Sequence, residues 1–128
     1  MPKECPFCSI LDNDVNNRVI AQNDLAFVIR DGYPVSEGHT LIIPKRHAGS
    51  FFEITNEERV ALLSLLDSAK KKLDKEFEPD SYNIGINDGE EAGQTVPHLH
   101  IHLIPRHKGD MDDPKGGVRG VIPEKQKY

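Results

Sequence analysis

The stretch VPHLHIHLIPR, Val96 to Arg106, decides how the chain is read. It sets three of the six histidines, His98, His100 and His102, at every second position, with Leu99, Ile101 and Leu103 between them. On a strand, residues two apart point to one face, spaced by roughly 6.5–7 Å. Residues 96–104 therefore read as a strand with one apolar face and one face made only of imidazole, ended by Pro105. A half-exposed strand ordinarily carries Thr, Ser, Lys or Glu on its polar side. Near neutral pH imidazole can instead be a nucleophile, an acid, a base or a metal ligand. Two chemistries follow. One is a metal site with two or three of these rings as ligands. The other is nucleophilic catalysis, in which one neutral imidazole attacks and its neighbours donate hydrogen bonds.

The preceding residues bear on that choice. NDGEEAGQT, Asn87 to Thr95, is a loop of small and amide residues. Its backbone N–H groups and the Gln94 and Thr95 side chains can hold phosphate oxygens or a leaving group. Phosphoryl or nucleotidyl transfer to imidazole gives a phosphoramidate that water later cleaves, which splits one hard displacement into two easier ones.

Further out, RVIAQN (18–23), LAFVIRD (25–31), HTLIIPK (39–45) and SYNIGIND (81–88) read as four more strands rich in Val, Ile and aromatic residues. Pro44 ends the third, and Tyr82, Ile84 and Ile86 share one face of the fourth. DGYPVSEG between the second and third is turn-forming. The clearest helix is 55–77. Thr55 caps it and Glu58 completes a capping box; Val60, Leu62, Leu63, Leu65, Leu66, Ala69 and Leu73 form the apolar stripe, and Pro79 stops it. A short helical turn is expected over Phe7–Leu11. The class is α+β: an antiparallel five-stranded sheet with one long helix and a short N-terminal one. One domain over 1–128 is expected, with its core in about 4–107 and a loop-like tail from 108, placed to cover the site or that of a dimer partner.

The net charge of −5 argues against general nucleic-acid binding, which needs a basic face, but leaves room for a small anionic ligand at a locally positive site. Lys45-Arg46-His47, Arg106-His107-Lys108 and Arg119 are the local basic spots. No stretch approaches the roughly 20 apolar residues of a membrane span. The N-terminal MPKECPFCSI lacks the apolar segment of a secretory signal, so a cytoplasmic location is expected.

HLHIHLI matches the His-φ-His-φ-His-φ-φ pattern, and the chain here resembles the histidine triad (HIT) family of nucleotide hydrolases and transferases. AFVIRDGYPVSEGHTLIIPKRH is similar to the family's ribose-side segment, and NIGINDGEEAGQTVPHLHIHLIPR to its catalytic loop and strand. With CPFC, the likeness covers roughly residues 4–107. GDMDDPKGGVRGVIP is similar to the tail of a prokaryotic-type subset. The resemblance implies that His100 attacks the α-phosphorus and that His102 hydrogen-bonds the phosphate and assists the leaving group. It implies that Asn87, Gly93, Gln94 and Thr95 lie on the phosphate and leaving-group side. Asp31 would bind ribose hydroxyls, Phe27 would lie beside the base, and His39 would stand behind the histidines. It further implies a purine nucleotide as substrate and a homodimer whose sheets join across the interface. The nucleophile must be neutral on one ring nitrogen. Its other N–H needs an acceptor, for which a backbone carbonyl near His98 or in 85–95 can serve.

Cys5 and Cys8 form a C-x-x-C and are the only cysteines. By itself this is a redox pair, half a zinc site or coincidence. No βαβ pattern surrounds it, as a redox pair would want, and zinc needs two more ligands, for which His47 and His98 are available. The zinc-containing branch of the family implies that Cys5, Cys8, His47 and His98 form a closed, structural site. The three histidines would then divide their work: one on metal, one attacking, one on phosphate.

Two substrate classes stand side by side: dinucleoside polyphosphates, and nucleoside phosphoramidates cleaved at a P–N bond. GEEAGQTV and LIPR favour the first; Asp31 and the cysteine pair favour the second. A nucleotide-binding signalling module with little catalysis has no need of His100, and a metal-handling protein using all three histidines leaves the phosphate loop without a purpose.

Overall fold

The computed structural model describes residues 4–128. The chain forms α1 (Pro6–Asp12), β1 (Val19–Gln22), β2 (Ala26–Arg30), β3 (Thr40–Pro44), α2 (Asn56–Phe77), β4 (Ser81–Gly85) and β5 (Ile101–Arg106), with short 3-10 turns between and after them. The strands make one five-stranded sheet in the order β1-β2-β3-β5-β4, every pair antiparallel. Among the described residues, no helix is long and apolar enough to cross a membrane.

The two faces of the sheet are covered differently. On one, α2 packs Leu62, Leu65, Ala69 and Leu73 against Ala26, Val28, Ile42, Leu99, Ile101 and Leu103. On the other, α1 brings Phe7, Cys5 and Cys8 onto Phe27, Ile29, Leu41 and Ile43. β2 and β3 are thus buried on both sides, which is why AFVI and LII read as continuous apolar runs rather than alternations. The α2 stripe and stops are as the spacing predicts. Thr55 and Glu58 exchange both capping-box bonds, and the helix closes on Glu78 in the left-handed region just before Pro79. Glu58 also holds Arg46 with two bonds, of 2.7 and 3.1 Å, so this basic spot is internally neutralised.

Two strand expectations are corrected. The last strand does not cover 96–104: it begins at Ile101 and runs on to Arg106. Pro97 and a tight bond from His98 N–H to the Val96 carbonyl bend the chain there. The Leu99 N–H goes to Ala48, outside any ladder. Pro105 is tolerated because β3 pairs only with Ile101–Leu103. Beyond that point a missing N–H forfeits no ladder bond on the β3 side. Tyr82 on β4 and Ile86 just past its end pack on the α2 core, whereas Ile84 between them is 52% exposed on this edge strand.

The loop between β2 and β3 carries His39 and is clamped at its neck by the Asp31 N–H on the His39 carbonyl. Gly38 has φ +90°, and a Cβ there would lie 2.8 Å from the Phe77 ring, so both conformation and space demand glycine.

Candidate active site and metal centre

The bend before β5 aims three imidazoles at different neighbours on the α1 side of the sheet. His98 is wholly buried and turns its Nδ1 towards the cysteines: 3.4 Å from Cys5 Sγ and 3.6 Å from Cys8 Sγ. His47 Nδ1 lies 3.1 Å from His98 Nδ1 and 3.3 Å from Cys8 Sγ. Metal–ligand bonds of about 2.3 Å to sulfur and 2.0–2.1 Å to nitrogen imply tetrahedron edges of roughly 3.3–3.8 Å. The four donors stand close to those spacings, so Cys5, Cys8, His47 and His98 fit zinc. The second nitrogen of His98 supports this. Its Nε2–H donates to the Pro44 carbonyl at 2.8 Å, which leaves the Nδ1 lone pair facing the cluster. Burial, followed by the hydrogen bond and charge of Cys5, pushes the Cys8 thiol up to about 11.

His100 is 8% exposed and its ring lines a cavity of about 440 Å³. Its Nδ1 is 2.9 Å from the His98 carbonyl. A carbonyl only accepts, so in the neutral ring the proton sits on Nδ1 and Nε2 keeps a lone pair. Phe7 meets this ring edge-on, with centroids 5.1 Å apart.

His102 receives the opposite assignment. The Val35 N–H donates to His39 Nδ1 at 3.0 Å, which leaves the His39 proton on Nε2. That Nε2–H lies 2.9 Å from His102 Nδ1 and 3.3 Å from Asp31 Oδ2. His102 Nδ1 therefore accepts, and its own proton is on Nε2. Burial, then the nearby His100 and His39, hold His102 down at about 4, so the ring is neutral at physiological pH. Burial lowers His39 and His98 in the same sense. Two rings with centroids 5.0 Å apart thus present complementary groups, a lone pair on His100 and an N–H on His102.

Asp31, His39, Asn87, Gly93, Thr95, His100 and His102 all line this one cavity. Two residues named from the sequence do not. Phe27 is 0% exposed inside the cluster beneath α1; the wall is made instead by Phe7, Leu41 and Val96. Gln94 turns away. Its Nε2 donates to the Gly49 and Val96 carbonyls and its Oε1 accepts from Gly89 N–H, so it braces the loop. Phe7, Arg18, Tyr33 and the Val35 N–H were not foreseen. Only Phe7 had a signal: it lies inside C-P-F-C, so a metal shared with His98 would bring it to the site.

An antiparallel α+β fold that sets an imidazole nitrogen of His100 beside the N–H of His102 in one cavity defines a histidine-based site. The HIT domain model matches residues 12–109, and the chain belongs to that family. It is 37% identical over 102 residues to an adenosine 5′-monophosphoramidase of Schizosaccharomyces pombe, covering 80% of this chain and 74% of that one. It is 34% identical over 113 residues to the asymmetrical bis(5′-nucleosyl)-tetraphosphatase of the same yeast, covering 88% of this chain and 60% of that one. Among solved structures, a zinc-bound histidine triad protein of Mycobacterium smegmatis superposes with a TM-score of 0.77 at 32% identity, over 86% of this chain and 80% of that one.

Proposed function

We propose that the chain is a nucleotidyl hydrolase that cleaves dinucleoside polyphosphates at the α-phosphate, in a single domain that works as a homodimer. The observation that carries this is the pair of opposed tautomers. The His98 carbonyl keeps the His100 Nδ1 proton in place, so Nε2 is the free nucleophile. Nε2 attacks the α-phosphorus; a P–N bond forms, and the P–O bond to the departing polyphosphate breaks with its electron pair. The Nε2–H of His102 faces the charge that develops on the phosphate and leaving oxygen. Asn87 and Thr95 hold the remaining oxygens; Gly93 lines the cavity beside them, but its N–H is spent on the Glu90 carbonyl at 2.9 Å, so the backbone donor expected there is not free. Asp31, whose Oδ1 accepts from the Tyr33 N–H, lies where ribose hydroxyls of a purine nucleotide would reach it. Water then cleaves the P–N bond and restores the neutral ring.

Zinc at Cys5, Cys8, His47 and His98, when bound, supplies a structural cross-link. Those residues tie α1 to the bend that sets the His98 carbonyl. The edge strand β4, with Ile84 half exposed, is the place for a partner's sheet to continue this one. Two free cysteines suit a reducing compartment such as the cytoplasm. The relative named as a monophosphoramidase keeps P–N cleavage as a second reading.

The test is product analysis with diadenosine tetraphosphate and adenosine 5′-phosphoramidate in parallel, with His100→Ala as control. Turnover that depends on His100, faster on the polyphosphate, is expected. No cleavage of either compound, or cleavage that survives His100→Ala, overturns the proposal.

A further inference from the structure

The nucleotide cavity does not end at His102. A second cavity of about 480 Å³ shares His39, Val35, Asn87 and His102 with it and continues along the outward side of β5. Its volume is that of an ordinary small-molecule site. A leaving group expelled from phosphorus on the His102 side would meet this space, since His102 lines both cavities. Its floor is Ile104 and its outer wall is Met111, Val118 and Val121, which belong to the segment after β5.

That segment is built to hold its shape. Gly116 has φ +87°, and a Cβ there would come within 1.9 Å of the Gln126 carbonyl oxygen; one at Gly120 would come within 2.7 Å of Gln126 Oε1. The Gln126 amide donates to the Lys115 carbonyl at 3.0 Å, and Lys127 pairs with Asp113 at 3.0 Å. The glycines of KGGVRG thus let two 3-10 turns close around one glutamine, and the turn over Gly117–Val121 packs against β4. This holds Val118 and Val121 in place although they are 67% and 75% exposed. Apolar side chains fixed in the open beside a catalytic centre lack a partner.

The charges say what kind of partner. Arg106 is the cation of this cavity, and its guanidinium is already held by Asp110, with two bonds of 2.8 Å, and by Asn83 at 2.6 Å. A wall of Ile104, Met111, Val118 and Val121 with the Asn83 and Gln126 amides suits a flat, mostly apolar group with a polar edge rather than a free polyanion.

We propose that residues 114–126 wall a leaving-group subsite that takes the second nucleoside of a dinucleoside polyphosphate. This rests on the nucleotidyl-hydrolase reading above and selects between its two substrate classes. A phosphoramidate, whose leaving group is only an amine, reaches none of these residues.

The test uses Val118→Ser/Val121→Ser, two exposed positions whose change leaves the cores intact, and separately Met111→Ser. KM and kcat are measured on diadenosine tetraphosphate and on adenosine 5′-phosphoramidate. The expected result is a rise in KM of about tenfold on the polyphosphate, with the phosphoramidate kcat/KM unchanged. An unchanged polyphosphate KM in both variants overturns the subsite while leaving the hydrolase reading intact. Equal losses on both substrates, or a loss that tracks dissociation of a dimer in sedimentation, also overturn it, because the segment then supports the fold or a second copy. If the unaltered chain cleaves neither compound, the hydrolase reading has failed. The subsite is then judged by calorimetry: weaker binding of diadenosine tetraphosphate but not of AMP by the tail variants sustains it, and equal binding overturns it.

Discussion

Replacing His39 with Leu separates the hydrogen-bond chain from the cavity it serves. His39 is 2% exposed, and its two nitrogens bridge the Val35 N–H, His102 Nδ1 and Asp31. Leucine keeps much of the volume and offers neither a donor nor an acceptor. The Val35 N–H and His102 Nδ1 then each lose a partner, at about 1–3 kcal/mol apiece. A total of about 2–6 kcal/mol, in a chain of this length, lowers Tm by roughly 8–24 °C. With nothing to fix it, His102 samples both tautomers and the N–H is absent from the cavity for part of the time. We expect kcat on diadenosine tetraphosphate to fall by about ten- to a hundredfold. KM should stay within a few-fold, because Asp31 loses its His39 partner but keeps the Tyr33 N–H at 2.8 Å that holds it beside the ribose. Calorimetric melting and steady-state kinetics read the two effects separately. His39→Gln, which restores one donor, should recover part of both. A His39→Leu variant that melts within 2 °C of the parent at an equal kcat would refute the assignment of His102 as a donor tautomer held by His39.

Three further outcomes are expected. Stability should decline on acidification from pH 6.5 to about 4. His102 is held at about 4 when folded and returns to about 6.5 when unfolded, so the unfolded chain binds more protons in that window. Denaturant titrations should show its contribution of up to about 3 kcal/mol complete above pH 6.5 and lost below 4. Purified protein should contain one zinc per chain by atomic absorption and Cys8→Ser none, with a lower Tm in the variant; a metal-free parent would remove the closed Cys2His2 site. Gly38→Ala should destabilise by more than about 1 kcal/mol, since φ +90° is strained for alanine and its Cβ meets Phe77 at 2.8 Å. The same change should cost less in a Phe77→Ala background, and equal costs would mean that the ring contact is irrelevant.

The parts of the fold that local physics determines were legible in the amino-acid order. Thr55, Glu58 and Pro79 mark the ends of α2, and the double burial of β2 and β3 shows as unbroken apolar runs. The last strand is shorter at its start than the alternation implies, because alternation persists where no ladder exists. His98 and Leu99 alternate for reasons outside the sheet: Pro44 and Ala48 take their hydrogen bonds, and the cysteines take the imidazole face. The cavity was legible where a polar type had no cheaper use, as with His100, His102 and Asn87. It was not legible at Gln94, whose amide can serve a backbone turn as well as a ligand, nor at Phe27, where an aromatic in a buried strand suits core and base pocket equally. Arg18 and Tyr33 arrive from loops far away in the chain, and no local pattern announces them.

His98 answers to three masters: its Nδ1 to the cysteines, its Nε2 to Pro44 and its carbonyl to His100. Few side chains could replace it, because a substitute must satisfy two cysteines, a strand end and a neighbouring ring at once. A descendant chain that gave up its cysteines would therefore have to rebuild this bend before the ring at His100 could keep its proton where it is. The route away from the cysteine pair is narrow, and it runs through the backbone rather than through the side chains.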